Sequence, residues 1–305
     1  MIKRVLLTGA SGFLGRALGA QLVQQGIEVH GLTRGIRGYK LPGIILHDYD
    51  LLSSTPLEPL LSSIDATCII HTAWHTDHSD FWTSSKNIAW LSASLRLFQA
   101  FISCGGSCIV GIGSCAEYDW SFGFLNEQRT PLAPSSLYGA AKSSLARITE
   151  FIAAEYGVKF IWPTLFWLFG EHENPNRFCA DLISSLLKDE VFTISNGEFI
   201  RDYLSVADAA EAIIATIESN ILGRINIASG IPVSLKDFAN SIADHLGLRA
   251  SLRFSATSKV TPAFPLIVAD TTRLRSEVGW KPSVNPADRI QATISWHRHQ
   301  RHHSV

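Results

Sequence analysis

Tyr138-Gly139-Ala140-Ala141-Lys142 places a phenol and an ammonium four residues apart. On a helix that spacing puts both on one face, where they can address one ligand. An ammonium beside a phenol stabilises the phenolate and suits the tyrosine to proton transfer near neutral pH. Ser114 follows the apolar run 108–112, at the carboxyl end of an expected strand, where its hydroxyl can hydrogen-bond a carbonyl oxygen. Ahead of both, Leu6-Leu7-Thr8-Gly9-Ala10-Ser11-Gly12-Phe13-Leu14-Gly15 joins an apolar strand to a glycine-spaced helix start. Gly9 permits the tight turn, Gly12 lets the backbone reach phosphates, and Gly15 allows close helix–strand packing. The unpaired N–H groups and partial positive charge of the helix start then suit a dinucleotide pyrophosphate. Taken singly, each feature has a plain structural alternative: a strand–turn–helix without a ligand, or a Tyr/Lys pair met by chance. Together, a phosphate loop, a serine at a strand end and a Tyr/Lys helix stand in chain order.

Positioning these groups requires a sheet. Strands are expected at 5–8, 28–32, 68–71, 108–112 and 158–162, with helices at 16–25, 81–103 and 136–156 between them. Strand and helix alternating at this rhythm predict an α/β fold, a Rossmann-type doubly wound parallel sheet with helices on both faces. Right-handed crossovers put the ligand at the carboxyl ends of the strands. After about residue 165 the pattern loosens, with Pro175 and Asn176 before a helix at 177–188. The division expected is 1–165 as the cofactor-binding domain, with about 203–228 returning to it, and 166–202 with 229–305 as a smaller substrate-binding lobe.

The 305 residues carry a formal net charge of −1 without a long basic stretch. Nucleic acid and anionic membranes are therefore not expected partners, and a small molecule is. No signal-peptide pattern precedes Val5, and the longest apolar run, 160–169, contains Pro163 and is too short to span a bilayer. A cytoplasmic protein is expected. The five cysteines lack CxxC spacing and read as free thiols. His297, Arg298, His299, Arg301, His302 and His303 read as a solvated tail, and no metal is expected.

The ordered set resembles the extended short-chain dehydrogenases/reductases of the nucleotide-sugar epimerase/dehydratase family over nearly the whole chain. Gly9, Gly12 and Gly15 match its GxxGxxG, and Tyr138 with Lys142 its YxxxK. Asp48 matches an acidic residue after a strand, His71-Thr72-Ala73-Trp74 its strand-end HxAA, and Asn87 the asparagine opening the next helix. Residues 197–208 resemble GxxxRDFxxVxD, and Asn226-Ile227-Ala228-Ser229-Gly230 and Gly279-Trp280-Lys281-Pro282 its two later landmarks. The resemblance implies Ser114, Tyr138 and Lys142 as catalytic residues, Lys142 also holding the nicotinamide ribose. Cofactor contacts follow at Gly9, Ser11, Gly12, Phe13, Leu14, Gly15, Arg34, Asp48 and Ala73. Arg201 would bind the sugar-nucleotide diphosphate, as a forked guanidinium can; its structural alternative is pairing with Asp202 or Asp208. Asn176 and Arg177 would line the same pocket. Relatives often dimerise through two helices, here 81–103 and 136–156, which implies a homodimer.

Departures narrow the chemistry. The family's dehydratases carry an Asp-Glu pair after the hydroxyl residue, whereas this chain has Cys115 and Ala116; the displaced Glu117 reads as solvated or structural. The second strand ends in Leu32-Thr33-Arg34 where NAD enzymes place an acid. The arginine favours a 2′-phosphate, so the expected cofactor is NADP(H), with Arg37 and Lys40 adding positive charge. Thr164, Trp167 and Phe169-Gly170-Glu171 also depart from the usual pattern. Trp74, Trp82, Trp90, Trp120, Trp162 and Trp167 could stack on a base or sugar, with core packing expected for most. The resemblance then implies NADPH-dependent reduction at C4 of a CDP- or dTDP-linked 4-keto-6-deoxyhexose. The alternatives are a nucleotide-sugar 4-epimerase, a reductase of another carbonyl, and a non-catalytic NADP sensor.

Overall fold

The computed structural model describes residues 2–35, 41–255 and 264–302. Arg37, Lys40, His303 and the side chain of His302 lie outside the described residues.

Seven parallel strands form the main sheet: β1 (Arg4–Thr8), β2 (Glu28–Thr33), β3 (Ile44–Asp48), β4 (Cys68–His71), β5 (Cys108–Gly111), β6 (Lys159–Leu165) and β7 (Gly223–Ile227). Their spatial order is β3-β2-β1-β4-β5-β6-β7. The chain reverses its direction of travel across the sheet between β1 and β4, the crevice where such sheets bind ligands. The inner strands are apolar on both faces because both are covered. Val5 and Leu7 face α1 (Phe13–Gln24) and α6 (Val206–Glu218), while the short α2 (Glu58–Ile64) packs on the opposite face. Leu6 and Ile69 face the other way, onto α3 (Lys86–Ser103) and α4 (Leu137–Glu155). A short strand, Gly113–Ser114, prolongs the β5 path and pairs with β6, Ser114 opposite Leu165.

The sequence pattern passes over β3, an edge strand with partly exposed residues throughout. It also begins the third helix too early: residues 77–84 form turns held by backbone bonds such as Phe81 N–H to Asp77 O (2.9 Å).

Strand Ile200–Ser205 links the sheet to the rest of the molecule. Its first half pairs with Pro232–Ser234 and Leu266–Ala269, its second half with Trp167–Phe169, and it then runs into α6. Phe124–Leu125 completes this small sheet beside Leu266–Ala269. Beyond it, α5 (Phe178–Leu187) and α7 (Leu235–Leu246) pack with α9 (Pro286–His302), which follows the short α8 (Thr272–Ser276), around Leu182, Phe238, Ile242 and Ile294. Among the described residues no helix is long and apolar enough to cross a membrane.

Candidate active site

A cavity of about 510 Å³ opens over the carboxyl ends of the central strands. Gly9 forms its floor at φ +67°, in the left-handed region that favours glycine. A Cβ there would lie 2.6 Å from Thr72 Oγ1 and 2.8 Å from the Ala73 nitrogen, and one on Gly15 would press into the Gly9 carbonyl. Gly12 precedes α1 in extended conformation with no side-chain cap, so the first N–H groups of the helix keep no intrahelical partner. Gly9, Ser11, Gly12, Phe13, Leu14, Gly15 and Ala73 all line the cavity. A bare backbone cradle at a helix start fits a dinucleotide pyrophosphate. Ser11 Oγ shares a hydrogen bond with Thr33 Oγ1 (2.9 Å), and exposed Arg34 stands beside them on the rim. Asp48 is off the cavity wall: its Oδ1 accepts the Gly35 N–H (2.7 Å), and Tyr49 and Leu51 line the cavity in its place.

Helix α4 presents the reactive pair. Ser136 caps it, its hydroxyl accepting the Gly139 N–H (3.1 Å), so Tyr138 and Lys142 leave the first turns toward the cavity. The Tyr138 ring meets Phe81 and Trp82 edge-on, with centroids 5.1 and 5.8 Å away. Burial pushes its phenol up to about 12, while the Ser114 hydroxyl hydrogen-bonded to it pulls the other way. Lys142 is 3% exposed and donates to the Ile112 carbonyl (2.8 Å), with its ammonium 4.0 Å from the Trp74 ring centroid. Burial lowers it to about 7, opposed by Glu117. The spacing predicts a phenol pulled down by Lys142. The structure differs, because that ammonium is turned to Ile112 and Trp74, and burial governs the phenol.

The residues beneath are held rigidly. His71 bridges Thr8 Oγ1 (2.7 Å) and Ser94 Oγ (2.8 Å), and burial lowers it to about 3. Because the Ser94 hydroxyl donates to the Trp90 carbonyl, it must accept from His71 Nε2–H, which assigns the tautomer by hydrogen-bond logic. Asn87, fully buried, accepts from Trp74 Nε1 (2.9 Å) and donates to the Phe81 and Ser84 carbonyls.

A glycine cradle, a strand-end serine and a helix-borne Tyr/Lys pair thus meet in one cavity, and residues 5–228 match the model of the NAD dependent epimerase/dehydratase family. The chain belongs to that family. It is 26% identical over 255 residues to a dTDP-6-deoxy-L-talose 4-dehydrogenase (NAD(+)) of Aggregatibacter actinomycetemcomitans, covering 79% of this chain and 90% of that one. It is 25% identical over 291 residues to the CDP-abequose synthase of Salmonella typhimurium, covering 92% and 93%. The fold matches a UDP-N-acetylglucosamine 4-epimerase structure from Methanobrevibacter ruminantium with a TM-score of 0.88 at 23% identity, over 98% and 99% of the two chains.

Glu117 shows how this family member is built behind its serine. The side chain is fully buried, not solvated: it accepts the Ser114 N–H (2.8 Å) and Trp162 Nε1–H (3.1 Å) and pairs with Arg224 (2.8 Å). Arg224 also donates to Thr164 Oγ1 (3.0 Å). Glu117 therefore positions Ser114 from below and is closed off from the cavity.

Much of the rest of the cavity wall is aromatic. Trp74, Trp82, Trp90, Trp120 and Trp167 line the cavity, while Trp74, Trp90 and Trp162 are buried in the core and Trp120 and Trp167 pack against it, so most serve the core and five also face the cavity. Arg177 lines the wall with its guanidinium 5.2 Å from the Phe81 centroid. Asn176 is exposed and off the wall, where its neighbour Asn174 stands instead. Arg201 pairs with neither Asp202 nor Asp208. It donates to the Ile200, Phe264 and Pro265 carbonyls and stacks on Trp167 and Phe199, behind the cavity lining. Asp202 is instead occupied by Ser229, Gly230 and the Ala269 N–H, and Asp208 by Arg289. Asn174 and Glu173 are site residues with no local signal in the sequence; their place follows from how the segment before α5 folds back over the cavity.

Proposed function

We propose that this enzyme reduces the C4 carbonyl of a CDP- or dTDP-linked 4-keto-6-deoxyhexose with NADPH. The observation that carries the reading is a complete Ser114/Tyr138/Lys142 set with no acid or base in the two places after the serine, which hold Cys115, pushed up to about 12 by burial, and Ala116. With Glu117 locked to Arg224, nothing there removes water from a sugar. The two curated relatives support the substrate class, since their names place them on 6-deoxy or CDP-linked sugars.

NADPH supplies the hydride when bound. The Gly9–Gly15 cradle would hold the pyrophosphate, and Thr33 with Arg34 would receive a 2′-phosphate, where an acid would repel it. Arg34 has no ion pair among the described residues, so its charge is available. Tyr138, protonated throughout the neutral range, donates its O–H proton to the oxygen that becomes the C4 hydroxyl. A tyrosine that starts as an acid suits reduction, since oxidation needs the phenolate first. The Ser114 hydroxyl holds the same oxygen, and Lys142 holds the nicotinamide ribose. Arg177 serves the diphosphate, with Arg201 bracing Trp167 and Asn176 at the outer edge.

Residues 1–165 with 203–228 would hold the cofactor, and 166–202 with 229–305 the sugar. Ile88 on α3 and Ile148 and Phe151 on α4 are exposed, which suits pairing of two copies through these helices.

The test is loss of NADPH absorbance with CDP-, dTDP-, GDP- and UDP-linked 4-keto-6-deoxyhexoses. Stoichiometric oxidation with the CDP or dTDP sugar is expected. Absence of oxidation with all four overturns the reading.

A further inference from the structure

Among the described residues lining the cavity, Glu173 is the only acid. It is 8% exposed, and its Oε2 is buried with no hydrogen-bond partner. The carboxyl accepts the backbone N–H groups of Gly170 and of Ala180, the latter in the first turn of α5, a helix anchored in the lobe core through Cys179, Leu182 and Ile183. A buried polar atom left unpaired costs stability, and a site that tolerates one does so for a partner that arrives later. A neutral carboxylic acid offers one O–H donor and one acceptor side by side. Its complement is a neutral group that also presents both, either a primary carboxamide or neighbouring sugar hydroxyls.

We propose that Glu173 binds ligand as a neutral acid, pairing with a donor-and-acceptor group of the bound cofactor or sugar. The proposal rests on the reductase reading given above. Burial supports it, raising the carboxyl to about 8 against a smaller opposing pull from Arg177. The groups around Glu173 are Arg177 at the start of α5, Cys179 in its first turn, and His172 in the preceding turn, with Arg16 of α1 acting on that histidine. Burial keeps the Cys179 thiol uncharged. Tyr138 and Lys142 also line the cavity, and Lys142 titrates near 7, so the effect of Glu173 must be isolated by substitution.

The sign follows from linkage. Ligand that binds only the protonated acid binds fully below the pKa and is lost as pH rises through it, so affinity should fall about tenfold between pH 7 and 9. Glu173→Gln keeps a neutral donor and acceptor. It should hold the pH 7 affinity within about twofold and lose this part of the slope, while Glu173→Ala should weaken binding about tenfold at pH 7.

The experiment is tryptophan-fluorescence titration of the full chain with NADP⁺, 2′-phospho-ADP-ribose and CDP-glucose across pH 6.5 to 9.5, for wild type and both variants. Thermal melting confirms that each variant is folded. A glutamate-dependent slope with NADP⁺ but not 2′-phospho-ADP-ribose assigns the partner as the carboxamide; one with CDP-glucose assigns it as sugar hydroxyls. Identical pH profiles in wild type and Glu173→Gln for all three ligands overturn the proposal and leave the reductase reading standing. Failure of folded wild type to bind NADP⁺ at pH 7 overturns both.

Discussion

At the scale of residues, burial sets the protonation of two side chains of the site, Tyr138 and Lys142. Tyr138 is an acid held up by burial and tempered by Ser114. Replacing it with Phe removes one hydroxyl and leaves the edge-on contacts with Phe81 and Trp82, so kcat should fall by about 10²- to 10⁴-fold while NADPH binding stays within about twofold. Single-turnover rates with a keto-sugar, set beside cofactor titration, check both halves. Lys142 is a buried ammonium whose depressed pKa opposes folding at low pH. The native state gives up this proton near 7 and the unfolded chain only near the ordinary lysine value, so its contribution improves as pH rises through that window. Lys142→Met should therefore melt a few degrees above wild type at pH 6, with the gap narrowing toward pH 10. A gap that does not change with pH would show that Lys142 is not the group titrating. Tyr138, Lys142 and Ser114 were legible in the sequence because spacing and position at a strand end are local signals. The turning of the Lys142 ammonium to Ile112 was not, since its partner lies thirty residues away.

At the scale of elements, the structure bears out the strands whose residues are covered on both faces. Val5-Leu6-Leu7 and Cys68-Ile69-Ile70 are continuous apolar runs because α1 and α6 cover one side and α3 and α4 the other. β3 escaped notice because its edge position leaves polar and apolar residues alike half exposed. Glu117 is open between a solvated and a structural place in the sequence, and the structure makes it structural through Arg224, which arrives on β7, 107 residues later. That pair makes a sharp test. Glu117→Gln or Arg224→Met alone should destabilise by about 3–5 kcal/mol, because each leaves one buried charge unpaired, and the double variant should recover much of the loss. Chemical denaturation of the three variants measures the coupling; additive losses would show that the two charges do not depend on each other. The turn from β1 into α1 makes a second test. Gly15→Ala drives a methyl into the Gly9 carbonyl, so NADP⁺ affinity should drop by more than about tenfold as the cradle opens.

At the scale of the whole molecule, the parallel sheet holds the glycine loop and the Tyr/Lys helix, while the Ile200–Ser205 strand carries the chain between the sheet and the helices over the cavity. Family and fold were readable from motif order. The wall away from the glycine loop was less so: Asn174 and Glu173 reach it through the fold of an irregular segment, and Arg201 sits behind Trp167 because neighbouring carbonyls claim its guanidinium. In the proposed reaction a consumed reductant delivers hydride to C4. The most direct measurement uses NADPH carrying deuterium at the transferred position with a CDP- or dTDP-linked 4-keto-6-deoxyhexose, and locates the label in the product. One deuterium at C4 per NADPH oxidised is the expected result. A product epimerised with no label and no net loss of NADPH would contradict the account.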